Sequence, residues 1–439
     1  MARKRSFNSA QILVLIFISF IILGTVLLKC PFSTKVSISW LDALFTSTSA
    51  MTVTGLNVVD PIHTYTILGT TIIMLLIQFG GLGIMTFAVL IYLLMGKRIS
   101  IKQRLIIQEE LNQSTLGGLI KLVKRLFIFS IFFEGFLGLL LSIRFIPDLG
   151  LEKGLYYSLF HAVSAFNNAG FSLWTNNLTG YVGDPIVNVV ISALFIIGGI
   201  GFTVMNDIWE HKRWRQFSLH TKLMLLGTLI INIIAFIIIL SLEHDNPGTL
   251  GTLHGTDKYW AAYFQAAAPR TAGFNSVDIG ALKPPTLFFI MILMFIGAGS
   301  ISTGGGIKLT TFISLLVIMF GYIRRKNEAV IMERTIPDSA IFKGLTVALL
   351  SIAIIFVAIF SLLMSERTFS FIQIAFEVVS AFGTVGLSTG ITPDLSSFGQ
   401  CVIAFMMIIG KLGPLTLVLS LTDRDKQRVR YPKGEIFIS

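Results

Sequence analysis

The chain is poor in charge. Only 13% of its 439 residues are Asp, Glu, Lys or Arg, against 54% hydrophobic. Soluble domains carry roughly a quarter charged residues, so a water-soluble globular fold is excluded. Cysteine is nearly absent: Cys30 and Cys401 are the only two, too few for a disulfide framework or a metal cluster. No Gly-x-Gly-x-x-Gly follows a strand, so the chain carries no dinucleotide-binding domain. The run GGGIKLTT is not a phosphate loop, because Leu309 follows Lys308 where Ser or Thr is needed. Carboxylates are missing from the runs long enough to cross a bilayer, where only Glu134 lies mid-span. A membrane-embedded enzyme would need a cluster of His, Asp or Glu, and a proton-coupled symporter would need a chain of proton carriers.

What remains is apolar length. Mean hydropathy is +0.81. Runs long enough to cross a bilayer fall at 11–28, 66–95, 126–143, 185–206, 223–242, 284–307, 344–364 and 398–421, the last interrupted by Lys411. Eight spans are expected. The first is not read as a cleavable signal peptide, since no small-residue cleavage site follows it. With the N-terminus inside, the cytoplasmic segments 1–10, 96–125, 207–222, 324–343 and 422–439 hold 24 of the 34 Lys and Arg residues. That asymmetry puts both termini in the cytoplasm of a multi-pass cell-membrane protein. It also explains the pI of 9.6 without nucleic acid, because the excess charge lies in short loops beside spans.

One pattern recurs four times: Ala, four residues, Gly, then Leu or Phe. The copies are AMTVTGL (50–56), AFNNAGF (165–171), APRTAGF (268–274) and AFGTVGL (381–387). Their glycines, Gly55, Gly170, Gly273 and Gly386, are spaced by 115, 103 and 113 residues, so one unit repeats along the whole chain. The units are 1–95, 96–206, 207–323 and 324–439. Each reads as span, short apolar segment, span. The short segments, 39–51, 155–166, 259–268 and 370–382, suit re-entrant half-helices. The fold class is therefore all-α membrane protein, with eight transmembrane helices and four half-helices around a pseudo-fourfold pore.

Where a half-helix gives way to irregular backbone at membrane depth, that backbone must be buried in protein or line a watery cavity. Its carbonyls and the negative helix end favour a cation there. The loop residues are Thr52, Val53, Thr54 and Gly55; Asn167, Asn168, Ala169 and Gly170; Arg270, Thr271, Ala272 and Gly273; Gly383, Thr384, Val385 and Gly386. With no ring of Asp or Glu, the ligands are carbonyls and the ion is monovalent and weakly hydrated. The competing reading, glycines that only let helices pack closely, fits one copy better than four in register.

These motifs, with GTVG at 383–386, TVTG at 52–55, NNAGFS and PRTAGFN, resemble the Trk/Ktr/HKT superfamily of potassium transporters, and within it the membrane subunits of bacterial Ktr systems. The resemblance spans essentially the full length. It implies potassium uptake through a single-glycine filter, with selectivity softer than in a potassium channel and with sodium dependence, sodium conduction and energy source left open. It implies a homodimer. It also implies a cytosolic nucleotide-binding ring of KtrA or KtrC type, which would respond to ATP and ADP; this chain itself needs no cofactor. The basic loops and the tail are the expected docking face, the alternative being that they only set topology and meet anionic lipid.

A second glycine, Gly80, Gly198, Gly297 or Gly410, follows each motif glycine by 24–28 residues and brings helices close or lets them bend. The third opens GAGSISTGGG (297–306), whose glycines should break the 284–307 span. The resemblance makes this the gate beneath the filter, carried by Gly297, Gly299, Ser300, Ser302, Thr303, Gly304, Gly305 and Gly306. So many glycines suggest a loop held by few contacts. The resemblance turns Lys411 toward the pore, as a cation-repelling anchor for the loop. Lys308 is either a gate element or a snorkelling lysine. Arg270 is expected to point off-axis into an acidic or carbonyl pocket, and Glu134 to bond pore-loop backbone rather than an ion.

Overall fold

A half-helix must start cleanly if its other end is to be aimed, and the sequence supplies start signals. In this computed structural model, which describes residues 9–83, 86, 105, 119–300, 302–325 and 328–421, Ser39 and Asp42 form a capping box on α2 (Trp40–Thr52). The backbone N–H groups of Ser39 and Asp42 are thereby satisfied. The chain opens with α1 (Ser9–Lys29), and α3 (Ile67–Leu82) follows α2. Next come α4 (Leu119–Leu149), α5 (Leu151–Phe166), α6 (Pro185–Ile200) and α7 (Phe202–Glu210). Beyond them lie α8 (Leu219–Glu243), α9 (Asp257–Ala267), α10 (Pro284–Phe295) and α11 (Leu309–Ile323). A two-residue hairpin, Val330–Ile331 with Arg334–Thr335, precedes α12 (Asp338–Ser365). The chain then forms α13 (Phe371–Gly383), α14 (Ser397–Leu412) and α15 (Pro414–Leu421). Ser370 and Gln373 repeat the capping box on α13.

The short helices α2, α5, α9 and α13 sit where the short apolar segments were expected. Each packs on the helix before it: α2 on α1, α5 on α4, α9 on α8, α13 on α12. Each also packs on a helix from a neighbouring unit: α5 on α3, α9 on α6, α13 on α10, and α2 on α14. The last contact joins the fourth unit to the first and closes a circle. The outer helices turn large apolar side chains outward, among them Ile131 and Phe132 on α4, Ile230 on α8 and Phe356 and Phe360 on α12, all more than half exposed. An apolar exterior around a closed ring is a lipid-facing surface.

A break was expected only in the 284–307 span, and the structure interrupts other apolar runs as well. Among the described residues, four single helices are long and apolar enough to cross a membrane: Gln11–Lys29, Ile120–Leu149, Leu219–Glu243 and Asp338–Ser365. These are the first spans of the four units. The second spans are broken. The 185–206 run bends by 91° between α6 and α7, where Gly201 takes φ 109°. The 398–421 run breaks at Gly413, φ 83°, and α3 stops before Gly83, φ 91°. Of the remainder of 66–95, only Thr86 falls among the described residues. In the 284–307 run the break falls near the middle, as its glycines led one to expect: α10 stops at Phe295, irregular backbone runs to Lys308, and α11 continues the apolar path to Ile323. Helical propensity loses here to glycines that adopt backbone angles closed to other residues. The loop 96–125 lies largely outside the described residues, but its end, from Leu119, is already α4. The basic tail lies outside them too.

The second glycine set explains the tight ring. A Cβ at Gly80 would fall on the carbonyl oxygen of Met51, at Gly198 on that of Phe166, and at Gly410 on that of Phe382. Each carbonyl belongs to the last turn of a half-helix, four residues before the motif glycine. In the third unit Gly297 abuts the Gly305 carbonyl instead. Gly410→Ala should therefore lower stability by about 1–3 kcal/mol or more through overpacking. Gly135→Ala, at a helical site with no atom near the added methyl, should be neutral or stabilising by up to about 1 kcal/mol. Thermal unfolding of the purified variants measures both.

Candidate functional site

The site begins where the four short helices end. Two residues before each motif glycine the backbone turns left-handed at a residue that is not glycine: Val53 (φ 58°), Asn168 (60°), Thr271 (72°) and Thr384 (48°). This turn satisfies the last helical carbonyls. The N–H of the next residue reaches back to the helix: Thr54 to the Ser49 carbonyl (2.8 Å), Ala169 to Ser164 (2.7 Å), Val385 to Ser380 (2.9 Å). The glycines follow at φ 96°, 68°, 71° and 90°. The four loops are buried, apart from Gly386, which is half-buried.

The structure brings the four loops together. A Cβ at Gly55 would meet the carbonyl of Ala169, at Gly170 that of Ala272, at Gly273 that of Val385, and at Gly386 that of Thr54. Each glycine thus abuts the carbonyl one residue before the glycine of the next unit, and the fourth returns to the first. Backbone oxygens converge in this ring and no carboxylate of the loops lies in it, so it presents partial negative charge without a strong-field ligand.

Side chains that the motif reading passed over hold this backbone. Six residues before the motif glycine, Ser49 accepts from the Gly55 N–H (3.0 Å) and Ser380 from the Gly386 N–H (3.2 Å), while Ser164 donates to the Phe171 carbonyl (2.8 Å). The third unit has Ala267 there. Nine residues before it, His161 accepts from the Leu173 N–H (3.3 Å) and touches Ser172 Oγ (3.2 Å); Glu377 accepts from Thr392, whose Oγ1 also lies 2.9 Å from Ser388 Oγ. Ser172 and Ser388 each lie two residues past a motif glycine. The serines could have been found in the sequence, six residues before three of the four motif glycines.

Glu134 does not bond pore-loop backbone as expected. It accepts from Ser130 (2.7 Å), Gln78 (3.0 Å) and the side chain of Asn167 (3.3 Å), tying α4 and α3 to the second loop through side chains. Arg270 reaches a cavity between α6 and α8 whose other lining residues include Thr228, Asn232 and Ala298, none of them acidic.

The glycine-rich segment 297–306 lies against the ring, and it is not loosely held. Thr303 Oγ1 donates to Asn168 Oδ1 (2.9 Å), whose Nδ2 donates to Thr271 Oγ1 (3.1 Å). The Gly305 N–H donates to Thr384 Oγ1 (2.9 Å). Lys411 Nζ donates to the Thr303 carbonyl (2.5 Å) and Lys308 Nζ to the Gly304 carbonyl (2.6 Å). Lys308 therefore turns back onto the loop. Ser302 closes on the Gly299 carbonyl (2.7 Å), Ser300 meets Thr310 (3.2 Å), and Gly297 N–H reaches the Ile307 carbonyl (2.9 Å). Three of the four left-handed residues thus present side chains to this segment or to one another. The fourth, Val53, packs beside Gly80.

Residues 3–428 match the family model of TrkH, described as cation transport protein. The chain belongs to this family. Members of the TrkH family are transport proteins, not enzymes. The chain is 55% identical to "Ktr system potassium uptake protein B" of Bacillus subtilis (strain 168), over 98% of this chain and 97% of that one. It is 40% identical to the protein of the same name from Vibrio alginolyticus, over 99% and 95%. The solved structure of the potassium transporter TrkH from Vibrio parahaemolyticus superposes with a TM-score of 0.74 over 96% of this chain and 86% of that one, at 19% identity. The last likeness speaks to the fold.

Each serine hydroxyl that receives a buried glycine N–H should be worth about 1–3 kcal/mol, the cost of leaving that donor unpaired. Ser49→Ala and Ser380→Ala should each lower the unfolding temperature of the purified protein and weaken its stabilisation by added cation. Ala267→Ser, at the position that lacks the hydroxyl, should do neither beyond a few tenths of a kcal/mol.

Proposed function

We propose that the chain is the ion-translocating subunit of a Ktr-type potassium uptake system in the cell membrane. The observation that carries this reading is the closed ring of four loops, in which each motif glycine abuts the carbonyl preceding the next one. The ring residues are Thr52–Gly55, Asn167–Gly170, Thr271–Gly273 and Gly383–Gly386, with Arg270 beside them. Neutral carbonyls replace part of the hydration shell of a large monovalent cation at small cost. They serve a strongly hydrated divalent ion poorly. The four units 1–95, 96–206, 207–323 and 324–439 each contribute a first span, a half-helix and a broken second span, with both termini in the cytoplasm.

The segment 297–306 is the gate. It stands against the left-handed turns of the second and fourth loops, and two ammonium groups, Lys411 and Lys308, hold its carbonyls. Two positive charges beside a cation path raise the barrier to passage, and the hydrogen bonds set the stability of the closed arrangement. Opening requires those bonds to be exchanged for others, so something must bind the two arrangements unequally. A separate cytosolic ring that binds ATP and ADP fits that need, docking on the basic loops. The membrane subunit works as a homodimer.

Three measurements test this. Gly→Ser at position 55, 170, 273 or 386, singly, should lower potassium affinity in liposome uptake and weaken discrimination against sodium; unaltered affinity and selectivity at all four would remove the filter. Lys411→Gln or Thr384→Val should raise potassium flux through the chain alone, each by roughly three- to thirtyfold for ~0.7–2 kcal/mol of lost gate bonding. Lower flux from folded variants would make the segment a structural element instead. Reconstitution with the cytosolic subunit should make flux differ between ATP and ADP. A nucleotide response from the purified membrane chain alone would falsify the separate regulator.

A further inference from the structure

Arg270 stands three residues before Gly273 with no counter-charge. Its residue is 8% exposed, and its Nε has no hydrogen-bond partner. Among the described residues, the ion pairs join other groups, and no carboxylate lines its cavity. Two further polar groups face the same space. Thr228 and Asn232 stand one turn apart on α8, and both Thr228 Oγ1 and Asn232 Oδ1 lack hydrogen-bond partners. Their spacing puts them on one face of an otherwise apolar helix. Polar side chains at such a depth face the interior and partner one another or a ligand. The cavity has about 20 Å³ for the centre of a water-sized sphere, room for a water or a monatomic ion.

We infer that Arg270, Thr228 and Asn232 form a binding site for a small monovalent anion of halide size, beside the third filter loop. The guanidinium offers up to five donors, the threonine hydroxyl one more, and the Asn232 carboxamide presents its NH2 when it turns over. Water would meet some of these hydrogen bonds but would leave the charge of Arg270 uncompensated. That charge opposes cation binding in the neighbouring loop. Bound anion cancels it, so anion and transported cation bind with positive coupling. The site stands on these side chains alone. Its effect on transport rests on the potassium reading above.

The test uses the full-length purified protein, with chloride replaced by gluconate, too large for the cavity, at fixed ionic strength. Chloride and bromide should raise the unfolding temperature relative to gluconate, and Arg270→Gln should abolish that difference. In liposomes, gluconate on both sides should raise the half-saturating potassium concentration by about tenfold, the size expected for a nearby unit charge seen through an effective dielectric of about 20. Arg270→Gln should make that value the same in both salts. If Arg270→Gln fails to fold, the double variant Thr228→Val/Asn232→Leu decides, by requiring more chloride for the same thermal shift. Equal unfolding temperatures in chloride and gluconate, or a difference that survives in the variants, would leave only water beside Arg270 and overturn the site. A chloride shift lost with Arg270, in a protein that carries no potassium, would keep the site and overturn the transport reading.

Discussion

Backbone packed directly on backbone is the constraint from which the rest of the molecule follows. The motif glycines touch carbonyls of the next unit, and Gly80, Gly198 and Gly410 touch carbonyls at the ends of three half-helices. No residue with a Cβ can occupy these places without displacing peptide groups. Because neighbouring loops meet main chain to main chain, their carbonyls can crowd around a common space. A ring built from side-chain contacts would be wider and softer. The same closeness explains why the serines and the left-handed turns are needed: peptide groups buried in a ring have no water to turn to, and each must find a partner inside the protein.

The third unit departs from the other three in ways that belong together. It has Ala267 where the others have serine, and Pro269 where they offer a helical carbonyl to the second glycine. Gly297 consequently meets Gly305 rather than the half-helix, and the glycine-rich segment occupies the space against the ring. Loss of symmetry in one unit makes room for an asymmetric element against the ring. The Lys411 ammonium comes from the fourth unit, so the segment is held across a unit boundary.

Much of this was legible before any coordinates. The spacing of Gly55, Gly170, Gly273 and Gly386 located all four loops, because a glycine needed for its backbone angle leaves a fixed mark in the sequence. The half-helices α2, α5, α9 and α13 were visible as apolar stretches too short to cross. The breaks at Gly83, Gly201 and Gly413 were not, because hydropathy reads through a bend whose flanks are equally apolar. The strength of the 297–306 attachment was hidden for a different reason. Glycine content reports how freely a segment could move, whereas its partners, Asn168, Thr384 and Lys411, lie up to 135 residues away in the chain. Glu134 showed itself as a lone acid, but only the fold could supply Gln78 and Asn167.

The left-handed turns connect the ring to the segment beneath it. A non-glycine residue in that conformation costs about 1–2 kcal/mol, and asparagine tolerates it best because its side chain can bond locally. Asn168, Thr271 and Thr384 instead spend their side-chain groups on the segment and on each other. On the gate reading proposed above, withdrawal of the segment would leave Asn168 and Thr384 without those partners while their backbones remained in the costly region. Relief is then available only by a shift of the same peptide groups whose carbonyls form the ring. Val53, which no such bond reaches, has a β-branched side chain wedged beside Gly80 and stays fixed by packing. Movement of the segment, if it is the gate proposed above, would therefore be felt unequally around the ring, most at the second and fourth loops and least at the first. A cation held among the four carbonyls would in turn favour one position of the segment over the other, because linkage between the two is reciprocal.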